Sequence, residues 1–262
     1  MLHEVTPGVL VATSRRMSTT STIVTDGETA LLVDPTWMPD ELDSLAAALA
    51  DRGLSVAGGF ATHAHHDHLL WHPGFGPAPR WASVTTERYA ASERDGLVEN
   101  LGSDFPPELV DLMGRVTGAE AIPASSLPHG VDVELVVHDG HAPGHTALWL
   151  PRQRVLIAGD MLSDIELPLP FWPDDLPAYL AALDMLAPYA DQASLVIPGH
   201  GTVGGDAAAR LDADRRYLDD VQRRGSSDDP RVRNPGMAEE YAHLQRLVAE
   251  SSGRAPSDSM GG

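Results

Sequence analysis

The chain has 262 residues, 42% of them hydrophobic and 21% charged, which suits a folded protein large enough to bury a full core. It contains no cysteine and no lysine, so disulfides, thiolate ligands, cysteine nucleophiles and lysine chemistry are all excluded. A formal charge of −20 opposes any polyanionic partner and argues against nucleic acid.

No stretch approaches the roughly 18 apolar residues that span a bilayer, so no membrane association is expected. The beginning MLHEVTPGVLVATSRR lacks the basic head and apolar run of a signal peptide, and a cytoplasmic location is expected. In chain order, Val9–Thr13, Ser21–Thr25 and Thr29–Asp34 are β-branched or apolar runs, and the last two flank the hairpin signal Asp26-Gly27. Pro39 opens an amphipathic helix with acidic residues in its first turn and Gly53 as its stop. LSVAGGFATH then reads as a buried strand. Residues 69–127 form a partly helical excursion that leaves the scaffold and contributes to the pocket. VDVELVVH, TALWLPR, RVLIAGD and SLVIPGHG follow as strands, with DLPAYLAALDMLAPYA as a helix before the last of them. Helices within 204–250 close a single domain spanning 1–250. The small polar stretch 251–262 is expected to be disordered.

Residues 63–68 read H-x-H-x-D-H at the end of a strand. On an extended segment residues two apart point the same way, so His63 and His65 can grip one ion. Where the chain turns, Asp67 and His68 can reach a second. Three further strand ends carry the same chemistry: His145 in APGHT, Asp160 in AGD and His200 in PGHG.

H-x-H-x-D-H followed by PGHT, GD and PGHG resembles the metallo-β-lactamase-fold hydrolases, over a stretch from about Pro7 to about Tyr217. The resemblance implies an α/β fold, a four-layer αββα sandwich with metals at one edge between the sheets. It also implies that His63, His65 and His145 hold one metal, that Asp67, His68 and His200 hold the other, and that Asp160 bridges them. Asp34, closing LLVD, falls where this family places an acid that orients the ligands. Two divalent ions are implied, zinc first, with iron or manganese also compatible with imidazole and carboxylate ligands. Paired metals hold a hydroxide able to attack a carbonyl, and Asp67 and Asp160 are the candidate catalytic proton carriers.

A lone histidine is more often structural or on the surface. His3, His129, His138 and His243 are therefore left without a role, and His141 is expected to be structural. Trp37, His66, Trp71, Phe75, Phe171 and Trp172 follow site-facing strand ends and are the candidate substrate-pocket residues, the aromatic ones suggesting an apolar rim. The absent thiolate sets aside cysteine-dependent β-lactamases, and the charge sets aside nucleases. A hydrolase of a lactone, thioester or ester, acting on a small-molecule or carrier-bound acyl substrate, is the expected function. The alternatives are an oxidoreductase resembling the persulfide dioxygenases, with a single iron, and a non-catalytic metal-binding module.

Overall fold

A computed structural model describes residues 2–36, 38–170 and 175–251. The first half forms β1 (His3–Thr6), β2 (Val9–Thr13), β3 (Thr20–Thr25), β4 (Thr29–Val33), α1 (Pro39–Asp51) and β5 (Ser55–Phe60). β6 (Arg80–Ala82), α2 (Val84–Ser92), α3 (Arg94–Leu101), α4 (Pro107–Leu112) and β7 (Thr117–Gly118) follow. The second half contains β8 (Glu134–His138), β9 (His145–Leu150), β10 (Val155–Gly159), α5 (Leu176–Ala190), β11 (Leu195–Pro198), α6 (Ala207–Arg224) and α7 (Met237–Ser251).

The strands form two sheets, one ordered β1 to β7 and one ordered β11-β10-β9-β8. Side chains alternate between the faces of a strand, and that alternation builds the layers. Val9, Val11, Leu31 and Val33 meet Leu148, Leu150, Val155 and Ile157 in a core between the sheets. Their neighbours Leu10, Ala30 and Leu32 face outward and pack with Leu42, Leu45 and Leu49 of α1. On the other side, Trp149, Leu156 and Val196 pack with Tyr179 and Leu183 of α5 and with Leu218 and Val221 of α6. The result is helix on sheet on sheet on helix, the expected αββα sandwich. In each half one helix crosses over between parallel strands, α1 from β4 to β5 and α5 from β10 to β11.

The excursion at 69–127 does not leave the scaffold. β6 pairs parallel with β5, and β7 parallel with β6, so it returns twice to extend the first sheet. These strands have three and two residues, too short for alternation to register in the sequence. The helical part of the excursion includes α2 and α3, with Glu93 between them. The helices expected at the end are α6 and α7, while the stretch expected to be disordered lies, from residue 252 on, outside the described residues.

Trp71 and Phe75, expected at the pocket rim, are buried in the core between the first sheet and α1. A Cβ at Gly59 of β5 would run into the Trp71 ring, so the glycine makes room for the indole, and the Arg80 guanidinium lies over that ring at 5.3 Å from its centroid. His72 has a structural task. Its Nδ1 accepts from Gly74 N at 3.0 Å, capping the turn that carries Phe75, and its Nε2 lies 3.0 Å from Asp43.

Buried Arg231 fastens the C-terminal segment to the loop after β10. Its Nη1 donates to Asp214 Oδ1 at 2.7 Å, Ser163 O at 2.8 Å and Glu166 O at 3.1 Å. A buried guanidinium needs such partners to offset the loss of water.

Candidate dinuclear metal centre

The two sheets are joined at the edge where the chemistry-bearing loops gather. Thr20 N donates to Gly199 O at 2.7 Å and Gly201 N to Ser18 O at 3.0 Å, which brings the ends of β11 and β3 together. Five of the six described non-glycine residues with left-handed backbone lie on these loops: Met17, Ser18, Asp34, His141 and Leu162. Such conformations persist where surrounding structure enforces them, often at functional sites.

Two groups of ligand atoms converge there. One contains His63, His65, His141 and Asp160; the other contains Asp67, His68 and His200. In the first, His63 Nε2 is 2.9 Å from His65 Nδ1, His141 Nε2 is 3.1 Å from His65 Nδ1, and Asp160 Oδ2 is 3.4 Å from His63 Nε2. In the second, His68 Nε2 is 3.4 Å from His200 Nε2, and Asp67 Oδ2 is 3.3 Å from His200 Nε2. Asp160 reaches both groups, with Oδ1 3.2 Å from His68 Nε2 and Oδ2 3.2 Å from His141 Nε2. A tetrahedral ion with nitrogen ligands at about 2.0–2.1 Å spaces them roughly 3.3 Å apart, so both groups fit a small divalent ion.

His145, expected as a ligand, is outside both groups. Its Nε2 accepts from the backbone N–H of Asp160 at 3.1 Å, so the lone pair that would face a metal is occupied. Its buried Nδ1 has no hydrogen-bond partner. His145 opens β9 and stacks between His63 and His138, with ring centroids 4.9 and 4.7 Å away. His141, expected to be structural, takes the place in the cluster instead. It sits on the loop before the strand, at φ 68°, which swings its ring toward Asp160. A glycine is required at 159, where a Cβ would strike the His145 ring. Gly199 is constrained in the same way, by Asp160.

Asp34 is hydrogen-bonded to residues of both groups, directly to His68 and through Thr62 to His63. Its Oδ2 lies 2.9 Å from His68 Nδ1, and its Oδ1 accepts from Thr62 N at 2.8 Å. The Thr62 hydroxyl donates to Asp34 Oδ2 at 2.7 Å, which leaves its oxygen to accept from His63 Nδ1 at 2.9 Å. In His200 the Nδ1 faces the Met17 carbonyl at 3.1 Å, and a carbonyl can only accept. All three rings therefore keep a proton on Nδ1 and turn Nε2 to the cluster. Replacing Asp34 with asparagine keeps a residue tolerant of the left-handed backbone but removes the carboxylate. Metal affinity, followed by competition with a chromophoric chelator, is expected to fall about 10- to 100-fold. Unchanged affinity would remove Asp34 from this role.

The imidazoles of the two groups differ in charge preference. Burial pushes His63 down to about 4, aided by the nearby charge of His68, and burial also holds His65 well below the usual imidazole range. For His68 burial acts in the same sense but is outweighed by the carboxylates of Asp160, Asp67 and Asp34, which hold it well above that range. His200 is raised likewise, burial being overcome chiefly by Asp160. Burial favours the neutral acid at Asp160, yet His68, His200 and His63 keep it ionised. A raised histidine pKa means that metal must displace a proton at the second group, whereas His63 and His65 of the first offer lone pairs already free. As pH falls below neutral, metal is expected to leave the second group before the first. Metal content after dialysis at stepped pH, by elemental analysis, reads this directly; loss of both equivalents together would contradict it.

The clusters floor a cavity of about 940 Å³. His66 lines it, as expected, with its Nδ1 3.8 Å from Asp67 Oδ1. Trp37, Phe171 and Trp172 lie outside the described residues. Glu166 and Asn100 also line the cavity and went unnoticed in the sequence, because neither belongs to a motif. Burial pushes Glu166 up to about 7, and its carboxylate lies 3.7 Å from His200 Nδ1.

Residues 15–200 match the family model for the metallo-beta-lactamase superfamily. The chain belongs to that superfamily. It is 30% identical over 128 residues to the probable metallo-hydrolase YflN of Bacillus subtilis, a match covering 44% of this chain and about half, 47%, of that relative. A beta-lactamase domain protein from Burkholderia ambifaria has a similar structure, with a TM-score of 0.66 at 21% identity over 96% of this chain and 89% of the other. A metallo-beta-lactamase family protein from Thermus thermophilus aligns with a TM-score of 0.61 at 20% identity, covering 95% and 92%. The stereoselective inverting sec-alkylsulfatase Pisa1 from Pseudomonas sp. aligns at 0.62 and 16% identity over 98% of this chain and 51% of its own. At these identities the structural likenesses show the fold alone. Among the described residues no helix is long and apolar enough to cross a membrane.

Proposed function

We propose that the protein hydrolyses a carbonyl substrate, an ester, lactone or thioester, using two divalent ions, zinc foremost. One ion would be held by His63, His65 and His141 and the other by Asp67, His68 and His200, with Asp160 shared between them. The observation that carries the reading is the position of Asp160, between two complete ligand groups on the floor of an open cavity.

The cavity lining favours an acyl substrate over an anionic one. Met17, Ile165, Leu169 and Met237 line it, and Arg15 is the one arginine among the described lining residues. That guanidinium is committed to Asp40, with Nη1 and Nη2 at 2.9 and 2.7 Å from its two oxygens. A phosphate or sulfate group would meet no free cation of this kind, and would meet Glu166 and Glu240 instead. Neutral carbonyl compounds avoid that repulsion.

When bound, paired divalent ions lower the pKa of a shared water and polarise the carbonyl. The chain's own residues hold the geometry and handle protons. Asp67 turns Oδ2 toward His200 and His68 and Oδ1 toward His66 on the cavity wall, and Oδ1 is the atom suited to take up a proton and return it to the leaving group. His145 fixes Asp160 by accepting its backbone N–H.

The test is a panel of lactones, thioesters and simple esters given to metal-loaded protein of known metal content. Turnover of at least one class with two zinc ions per chain is expected. A single iron per chain with oxygen uptake on persulfide substrates would replace the reading with an oxidoreductase.

A further inference from the structure

A second cavity, of about 260 Å³, opens beside the metal centre and shares His65 and Asn100 with the larger one. Its walls are Ala64, Ala142 and Pro143 from the two ligand-bearing loops, and Tyr89, Gly96 and Leu97 from α2 and α3. Resting on the carbonyl-hydrolase reading, we propose that this cavity receives an apolar acyl group of the substrate and that Gly96 sets how much of it fits.

Three observations carry the assignment. The first is position: His65 belongs to one ligand group and lines both cavities, so a carbonyl held over the clusters has one substituent beside the small cavity and the other in the large one. The second is chemistry. Glu93 is the one carboxylate among the described lining residues and none of them is an arginine, so an anionic tail would be repelled and an apolar one accepted.

The third is Gly96 itself. It lies inside α3, where glycine is the poorest helix former after proline. Its backbone is not left-handed, and a Cβ built there meets nothing within 4 Å. Neither backbone conformation nor packing therefore requires glycine at 96. Gly96 is solvent-exposed and lines the cavity, so it lies at the rim, where a side chain would narrow the opening.

The wall is also held in place. Ser83 Oγ, capping α2, donates to Gly144 O at 2.7 Å, and Thr86 Oγ1 donates to the same oxygen at 3.0 Å. The loop that carries His141 is thus tied directly to α2, and the cavity is built into the link between the inserted helices and the metal loops.

The experiment compares wild type, Gly96→Ala and Gly96→Leu, all metal-loaded, on acetyl, butyryl, hexanoyl and octanoyl esters and thioesters. In parallel, calorimetry measures binding of the corresponding free carboxylates. In the wild type each methylene that enters the cavity is expected to raise kcat/KM and affinity about fourfold until the space is full. Gly96→Ala should shorten that series, and Gly96→Leu should flatten it, cutting the hexanoyl-to-acetyl ratio by about tenfold or more. Circular dichroism should show α3 unharmed, since both replacements are better helix formers. A wild-type series with no length dependence in turnover or binding overturns the assignment, as does a Gly96→Leu series that matches wild type. If no ester or thioester is turned over but carboxylate binding still rises with length and flattens in Gly96→Leu, the cavity assignment stands and the carbonyl-hydrolase reading falls.

Discussion

Replacing Asp160 with alanine is expected to empty both metal positions and to lower kcat/KM by about a thousandfold or more, on the scale of several kcal/mol of transition-state stabilisation. The carboxylate is the element common to the two groups, within 3.4 Å of His63 and His200 and 3.2 Å of His68 and His141. Its removal takes one ligand from each ion at once. In the metal-free protein it also leaves His68 and His200 facing Asp67 with one negative charge fewer, so their raised pKa values should fall. Metal analysis, activity and circular dichroism on the same preparation separate loss of the site from loss of the fold. Retention of two ions per chain would show that Asp160 is not the shared ligand.

The comparison of His141→Ala with His145→Ala has the second largest expected effect. His141→Ala removes the proposed ligand whose Nε2 lies 3.1 Å from His65 Nδ1, and should release the ion of the first group while the second keeps its own. Activity should fall on the order of a hundredfold or more, several kcal/mol of stabilisation being at stake. His145→Ala should leave metal stoichiometry near two. Its loss is milder, the 3.1 Å hydrogen bond from Asp160 N and a buried ring stacked between His63 and His138. It should appear mainly as lower thermal stability, together with metal affinity weakened about 10- to 100-fold, as for other residues that orient a ligand. Should His145→Ala lose one ion outright while His141→Ala keeps both, the ligand set would revert to the one expected from the sequence.

These two histidines mark where sequence reading reached its limit. Both stand in GHAPGHT, four residues apart, and the composition of the motif does not distinguish them. What separates them is backbone conformation: His141 lies on a turn at positive φ, whereas His145 is already the first residue of β9. A strand residue at that register points under Gly159, where a glycine leaves room for the ring, and so meets the amide of Asp160 rather than a metal. The aromatic residues illustrate the same limit. Trp71 and Phe75 follow the metal motif closely, but both are packed into the core on the outer face of the first sheet.

What the sequence determined by itself was chemistry and local pattern. The lack of cysteine restricts ligands to histidine and carboxylate, H-x-H-x-D-H places both kinds within six residues, and short apolar runs such as TALLV and TALWLPR, bounded by polar residues, predict buried strands. Those are local properties, set by residue type and by the geometry of one segment. Asp34 was singled out only through the resemblance to the superfamily, and its link to His63 through Thr62 had no signal in the sequence. The tertiary structure alone decided which ring nitrogen faces the cluster, which histidine of the pair takes part, and that α2 and α3 wall a second cavity beside His65. Each of these depends on contacts between segments distant in the chain, such as Asp34 with His68 or Ser83 with Gly144, and a distance between segments has no local signature.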